Sequence, residues 1–164
     1  MAKLPPIVNG ITRIASLQPL PEQLHAFFEL TQDPQIQELV PAAQKSEREF
    51  GAEATYARYN DDYYIAIFDN NTNEMVGGII AKAIFARTLH LQVSIFTKAS
   101  ARKKGYMSSA LTTFINALPS PCTLIFRVLH SNLPSLNTIS KIEGFEEVTT
   151  LPEDPYRQFE KHIW

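Results

Sequence analysis

The spacing of apolar residues predicts helices in the first third of the chain. Leu24 opens a series of apolar residues at the i, i+3 and i+4 spacing of one helical face, and Pro21 suits the first turn of that helix. The pair Asp33-Pro34 predicts the end of this helix and the start of a shorter one. Ser46-Glu47-Arg48-Glu49 has the spacing of a capping box, which predicts a helix over residues 46–59.

Seven segments have the alternation, or the β-branched and aromatic content, that favours strands. They are residues 11–17, 63–68, 75–85, 88–97, 122–129, 146–151 and 157–163. Turn-forming residues at 69–73 join the second and third segments into a hairpin. In residues 88–97, His90, Gln92 and Ser94 alternate with apolar positions, so one face of this strand packs on the core and the other shows polar groups to a cleft.

Two more helices are predicted between the later strands. Gly105 begins one that runs to Leu118, and the other covers residues 132–142. Helices come first, then antiparallel strands, then alternating strands and helices, which predicts an α+β or α/β fold with a mixed sheet. We expect one domain over residues 1–164, because a typical domain holds about 100 to 200 residues.

Composition narrows the class of protein. The chain has 45% hydrophobic and 20% charged residues, which predicts a soluble globular protein without a membrane anchor. Cys122 is its one cysteine, so no disulfide framework is expected and we predict a cytoplasmic location. His25, His130 and His162 lack the spacing of metal ligands, and we expect no metal.

Charge is divided unevenly along the chain, although the net charge is only -2. Residues 1–74 hold 5 Lys/Arg against 11 Asp/Glu, residues 75–142 hold 8 Lys/Arg and no acid, and residues 143–164 hold 2 against 6. The acid-free stretch predicts a local positive potential that attracts an anion, although a chance run of acid-poor strands and turns has the same composition. Its cations cluster at one loop without a series of aromatic residues for stacking, so we expect no nucleic-acid partner.

That loop joins the strand over residues 88–97 to the helix that begins at Gly105, and residues 98–104 carry four cations. The first N–H groups of a helix have no partner within the helix, and together with the helix dipole they bind phosphate groups. The junction therefore predicts either a phosphate site or an ordinary basic loop with a glycine that starts a helix.

Two motifs resemble those of the GNAT N-acetyltransferases. Arg102-x-x-Gly105-x-Met107 resembles the Gln/Arg-x-x-Gly-x-Gly/Ala pyrophosphate loop of that superfamily, and Asn132-x-x-Ser135 ahead of Gly144-Phe145 resembles its downstream element. The opening of the chain, at residues 12–14, 17–20 and 32–34, is similar to the branch of ribosomal-protein N-terminal acetyltransferases. The resemblance implies a largely antiparallel central sheet of six to seven strands with helices on both faces.

The resemblance also implies acetyl-CoA as co-substrate and assigns residues to it. Backbone groups of Ile95, Phe96 and Thr97 would meet the pantetheine amides. The residues implied at the pyrophosphate are Arg102, Lys103, Lys104, Gly105, Tyr106, Met107 and Ser108. Asn132 would contact the cofactor arm and the Ser135 hydroxyl would protonate the leaving thiolate. Alternatively, Asn132 caps the helix that follows it and Ser135 lies in the first turn.

The chain departs from the family's pattern at three places. Met107 replaces a small residue at the pyrophosphate, Ile139 stands where many members have a tyrosine acid, and the segment after Ser135 is one residue longer. The strand face that often carries a glutamate has His90 and Gln92 instead. We expect these two residues at the catalytic face, with His90 either acting as a base through water or having only a structural role.

The predicted function is transfer of an acetyl group from acetyl-CoA to a primary amine by direct attack in a ternary complex. A weakly basic site favours an α-amine, with a pKa of about 7.7 to 8.0, over a lysine side chain at about 10.4. The acidic segment 1–74 predicts a cationic acceptor, either a peptide N-terminus or a small amine. The alternative is a non-catalytic CoA-binding or interaction module with the same fold. Either a monomer or a homodimer is expected.

Overall fold

A computed structural model describes residues 3–84 and 87–164, and these residues form one sheet with helices on both sides. The elements are β1 (Ile7–Asn9), β2 (Thr12–Ser16), α1 (Pro21–Thr31), α2 (Pro34–Leu39), α3 (Glu47–Tyr56), β3 (Tyr63–Asp69), β4 (Met75–Ile84), β5 (Leu89–Thr97), α4 (Tyr106–Ala117), β6 (Cys122–Leu129), α5 (Leu133–Ser140), β7 (Glu146–Val148) and β8 (Tyr156–Ile163). The strand order is β1-β2-β3-β4-β5-β6-β8-β7, and the neighbours are antiparallel except for the parallel pair β5 and β6. This arrangement confirms the predicted mixed, largely antiparallel sheet.

The described residues contain eight strands, one more than the largest number predicted. The additional strand is β1, which has three residues and pairs with β2 at the edge of the sheet. Three residues are too few to show a period in the sequence. Strand β7 ends at Val148, whereas the predicted strand continued to Leu151. The predicted last residue of β4, Phe85, lies outside the described residues.

Alternating side chains on β3 divide the core into two layers. Ile65 and Ile67 pack with residues of α4 and α5, whereas Tyr64 and Ala66 pack with residues of α1, α2 and α3. Each of these four residues is at most 2% exposed. The helices therefore bury both faces of the central strands, as the sequence predicted.

Helix α1 is held against the sheet by an aromatic contact on β5. The ring of Phe27 meets the ring of Phe96 edge to face, with centroids 5.3 Å apart. Gly78 lies opposite Phe96 on β4. A Cβ atom at Gly78 would lie 2.5 Å from Phe96 and 2.6 Å from Phe27, so only glycine leaves room for the two rings.

Helix α3 is held against the same face by Glu53. Its carboxylate accepts hydrogen bonds from Lys45 at 2.6 Å, from Lys82 of β4 at 3.2 Å and from the Tyr64 hydroxyl. Burial by itself would raise the pKa of Glu53, but the hydrogen bonds from Lys45 and Tyr64 and the charge of Lys82 lower it to about 2. Burial, reinforced by the Glu53 hydrogen bond, raises the pKa of Tyr64.

We expect Gly78→Ala to lower the free energy of unfolding by about 1 to 3 kcal/mol, because the new methyl group overpacks the two buried rings. Urea denaturation measures this change. Gly51→Ala in α3 is the matched control, because its Cβ atom would meet Leu24 at an ordinary 3.8 Å. That substitution should leave stability unchanged or raise it by about 0.5 to 1 kcal/mol. Equal effects of the two substitutions would contradict this account of the packing.

We expect Glu53→Gln to lower the free energy of unfolding at pH 7 by about 1 to 2 kcal/mol, a value discounted for the partial exposure of the ion pairs. The pKa of Glu53 is lower in the fold than its ordinary value of about 4.3, so its contribution is complete above that pH and is lost as the pH falls towards 2. Urea titrations between pH 7 and 2.5 should therefore show a shallower loss of stability in Glu53→Gln. Glu38→Gln, at an exposed position, is the control, and its stability should fall with pH as that of the unmodified chain does.

Candidate functional site

The site is built around the parallel strands β5 and β6, which separate part of the way along the sheet. They pair only between residues 89–92 of β5 and 122–125 of β6. The remaining residues, 93–97 of β5 and 126–129 of β6, have no ladder partner across this boundary. We call this opening, at the carboxyl ends of both strands, the strand gap.

Backbone polar groups of β5 face the strand gap. The Lys98 N–H donates to the Val76 carbonyl at 2.7 Å, on the β4 side. Because antiparallel ladder bonds alternate, the backbone of Phe96 also faces β4, whereas the backbones of Val93 and Ile95 face away from it. The parallel pair of Gln92 and Ile125 uses the Val93 N–H, so the Val93 C=O and both polar groups of Ile95 face the gap. These groups can pair with an extended ligand that takes the place of a strand.

This alternation corrects one expectation and adds a residue. Phe96 was expected to offer backbone groups to the pantetheine, but its backbone points to β4 and its ring is buried in the contact with Phe27. The Val93 carbonyl faces the gap instead, beside the N–H and C=O groups of Ile95. The Thr97 carbonyl already accepts a hydrogen bond from Arg102 Nε at 3.1 Å, which leaves its N–H on the gap side.

After β5 the chain makes a single 3₁₀ turn and enters α4 through two residues with left-handed backbone. These are Lys103 with φ +63° and Gly105 with φ +83°. No side chain caps α4, and its first backbone hydrogen bond runs from the Ser109 N–H to the Gly105 carbonyl at 3.2 Å. Within the described chain, the N–H groups of residues 106–108 therefore have no acceptor, as expected of an anion-binding helix start.

The side chains around this helix start leave it accessible. Lys103 and Lys104 are exposed. Met107 is 8% exposed and packs into the core beneath α4, so it does not block the approach of a phosphate as its size suggested. Tyr106 donates a hydrogen bond to Asp69 at the end of β3, which raises the pKa of the tyrosine and lowers that of the carboxylate. The start of α4 is thereby fixed to the sheet.

Arg102 lies in the same loop but directs its guanidinium into the protein. Besides the bond to Thr97, one terminal nitrogen donates to Gln35 and the other lies 3.3 Å from Asp33 Oδ2. All three guanidinium nitrogens thus have protein partners.

Four of the eight cations of the acid-free stretch pair with carboxylates of the flanking segments. The pairs are Lys82 with Glu53 and Asp62, Lys98 with Glu74, Arg102 with Asp33, and Arg127 with Asp154. The other four cations, Arg87, Lys103, Lys104 and Lys141, form no ion pair within the described residues, and of these only Lys103 and Lys104 lie at the start of α4. Three of these four cations that form pairs, Lys82, Lys98 and Arg102, also neutralise carboxylates of segment 1–74.

The opposite wall of the strand gap is the loop between β6 and α5. Asn132 is 6% exposed and caps α5, since its Oδ1 accepts the Ser135 N–H at 3.3 Å. Its Nδ2 donates to the Leu39 carbonyl at 3.5 Å. The capping interpretation of Asn132 is confirmed, and Ser135 lies in the first turn with its hydroxyl unbonded among the described residues. Ile139 is 1% exposed in the core, so this position supplies no acid.

The predicted catalytic residues of β5 lie at different distances from the gap. Gln92 occupies the last position that pairs with β6, at the apex of the gap. His90 pairs with Ile84 and Thr123 near the start of the strand, and its Nδ1 lies 2.9 Å from the Thr88 carbonyl. At about 3.4 Å per residue, His90 is about 17 Å from Ile95. The structure therefore brings Gln92, and not His90, to the gap.

A carboxylate that the sequence did not indicate lies on the same face as Gln92. Gln92 pairs with Ile125, and Ile125 pairs with Glu160 of β8, so the three side chains share one face of the sheet. With strands about 4.8 Å apart, Glu160 is about 10 Å from Gln92. Among the described residues its carboxylate has no hydrogen-bond or ion-pair partner. Only the pairing of β6 with β8 reveals this residue, and no local pattern signals it.

Residues 3–84 and 87–164 include no helix long and apolar enough to cross a membrane. In the same residues, no group of three or more His, Cys, Asp or Glu side chains is arranged to hold a metal ion.

Solved acetyltransferase structures share the fold of this chain. The acetyltransferase from Agrobacterium tumefaciens has a TM-score of 0.74 at 14% identity, over 98% of this chain and 96% of that one. The ribosomal-protein-S5-alanine acetyltransferase from Vibrio fischeri has a TM-score of 0.73 at 11% identity, over 96% of each chain. A chimera of spermidine N-acetyltransferase SpeG from Vibrio cholerae and hSSAT has a TM-score of 0.72 at 12% identity, over 93% and 96%. No curated protein sequence matches the chain.

The family model described as "Acetyltransferase (GNAT) domain" matches residues 16–145, which include the strand gap, the start of α4 and the start of α5. This match covers most of the chain and confirms the resemblance seen in the motifs. The chain belongs to the GNAT family of acetyltransferases.

Proposed function

We propose that the chain transfers an acetyl group from acetyl-CoA to a primary amine by direct attack in a ternary complex. One observation carries the proposal: the strand gap opens beside an uncapped helix start that has two exposed lysines. CoA joins an extended polar arm to a diphosphate, so the arm suits the strand gap and the diphosphate suits the helix start. The family supports an acyltransferase, and the solved neighbours named for spermidine and for ribosomal protein S5 alanine indicate amine acceptors.

The residues of the gap suit the parts of acetyl-CoA. Backbone groups of Val93 and Ile95 would bind the pantetheine amides, as a neighbouring strand would. The N–H groups at the start of α4 would bind the diphosphate, while Lys103 and Lys104 raise its local concentration. Gly105 would allow close approach, because a Cβ atom there would meet nothing within 4 Å and would itself fill the space before the helix.

The reaction needs two proton transfers besides the attack. The neutral amine nitrogen attacks the thioester carbonyl carbon, and the bond between this carbon and sulfur breaks as the thiolate leaves. A gap-facing N–H of β5 would polarise the carbonyl oxygen. Ser135 would donate the proton that the sulfur takes and regain one from solvent, whereas the amine would lose its proton through water near Gln92.

Charge near the apex of the gap favours a cationic acceptor. Glu160 is the acidic side chain two strands from Gln92 on the open face. It would attract an ammonium group and, through water, accept its proton. A site with no stronger base favours amines that are partly neutral at pH 7, which are α-amines rather than lysine side chains.

The second candidate is a CoA-binding module without catalysis. Two observations favour it: Ile139 is buried where many relatives have a tyrosine acid, and β5 carries no carboxylate at the gap. The two candidates differ in whether acetyl-CoA releases its thiol in the presence of an amine.

We expect joint replacement of Lys103 and Lys104 by Ala to weaken CoA binding about 3- to 10-fold at low ionic strength, and by less in 0.5 M salt, because exposed charges are screened. Isothermal titration calorimetry measures the affinity. Lys141→Ala removes another exposed cation, at the end of α5, and should leave it unchanged. If the unmodified chain takes up no CoA, both candidate functions are wrong.

We expect thiol release from acetyl-CoA to depend on the acceptor and to be faster with peptide N-termini than with blocked peptides that offer only lysine side chains.

Glu160→Gln should raise the acceptor KM about 3- to 10-fold and leave CoA affinity unchanged, because it removes one partly exposed charge from the acceptor side. Glu146→Gln is the matched control, since Glu146 pairs with Glu160 but lies one strand farther from the gap. Thermal stabilisation by CoA without acceptor-dependent release would support the binding module instead.

A further inference from the structure

We propose that Arg102 is a positioning residue that fixes α2 across the strand gap, and is not a ligand of the cofactor phosphates. The proposal rests on the proposed function, because it assigns how the wall between the cofactor and the acceptor is held. It also differs from what the family motif implies for this position.

The first attachment of α2 is at its start, on the β5 side of the gap. Arg102 binds Gln35 and Asp33 there, and its Nε holds the Thr97 carbonyl at the end of β5. The arginine and aspartate side chains are each 24% exposed. Asp33 also caps α2, because its Oδ1 accepts the Gln35 N–H at 2.8 Å. One carboxylate thus starts the helix with one oxygen and ties it to the loop with the other.

The second attachment is at the end of α2, on the β6 side of the gap. Leu39 is the last residue of the helix, and its carbonyl accepts from Asn132 Nδ2 at 3.5 Å. Asn132 is itself fixed as the cap of α5. The two ends of one short helix therefore attach to the two loops that follow the separating strands.

The length of α2 suits this span. Six helical residues rise about 9 Å at 1.5 Å per residue. Two strands separated by the width of one missing strand lie about 10 Å apart. The helix is therefore long enough to reach from the Arg102 loop to the Asn132 loop over the carboxyl ends of β5 and β6. A ligand in the gap would pass beneath it.

The two roles of Arg102 give opposite results for Asp33→Asn. Asparagine is as good a helix cap as aspartate, so this substitution keeps the start of α2 and removes only the charge that holds Arg102. If Arg102 positions α2, the acceptor KM should rise about 3- to 10-fold, with kcat within twofold of the unmodified chain and CoA affinity unchanged or weaker. If Arg102 is a phosphate ligand, freeing its guanidinium should tighten CoA binding, and this result would overturn the proposal.

Arg102→Lys gives an independent test. Lysine keeps the positive charge near the phosphate site, but its three donors sit on one nitrogen and cannot reproduce the planar fork with which Arg102 reaches Thr97, Gln35 and Asp33. A positioning role predicts the same rise in acceptor KM as in Asp33→Asn, and a double variant no worse than the more affected single one. An acceptor KM in Arg102→Lys equal to that of the unmodified chain would contradict the proposal. So would a double variant in which the effects of the two substitutions on acceptor KM add. Glu38→Gln, an exposed charge change on the same helix, should change neither constant.

Hydrogen exchange separates failure of this inference from failure of the proposed function. In the chain without ligand, backbone amides of residues 37–40 should exchange faster in Asp33→Asn and Arg102→Lys than in Glu38→Gln, because α2 loses an attachment. This readout needs neither CoA nor an acceptor. Unchanged exchange in both variants would refute the positioning role even in an active enzyme, whereas faster exchange in a chain that transfers no acetyl group would support it.

Discussion

The separation of β5 from β6 is the constraint on which the rest of the site depends. Backbone N–H and C=O groups require partners, and two strands that stop pairing after four positions leave several groups without them. Each strand is held on its other side, β5 by eight positions on β4 and β6 by eight positions on β8, so the gap does not close. The opening is therefore stable and lined by directed polar groups. These are the properties that suit an extended amide-bearing ligand.

Segregation of charge along the sequence builds contacts between distant segments. The acid-free stretch has no local partners for its cations, so Lys82, Lys98 and Arg102 bind acids that precede it in sequence, and Arg127 binds one that follows. Exposed pairs of this kind contribute only about 0 to 1 kcal/mol each. Two of the four cations without an acidic partner among the described residues, Lys103 and Lys104, lie where the α4 dipole also favours an anion.

Local rules predicted the parts of the site that local interactions determine. The capping box at Ser46, the glycine before α4 and the cap at Asn132 depend on residues within one turn of each other, and the structure shows each of them. The orientation of Phe96 depends on its register with β4, and the position of Glu160 depends on the pairing of β6 with β8. Those registers are set by packing between segments far apart in sequence, and a local pattern carries no information about them.

Two of the three departures from the family's pattern, Met107 and Ile139, have different consequences because of where their side chains lie. Met107 and Ile139 pack in the same core layer, beneath α4 and α5. For Met107 this burial removes the conflict with a phosphate, since the helix start presents only backbone there. For Ile139 it removes a possible acid, and Ser135, one turn earlier on the same helix, is the hydroxyl that the proposed function uses instead. Under the proposed function, the groups that would hold a CoA-like ligand are kept and those that would move protons differ from the family's, so binding and proton transfer would depend on separate sets of residues.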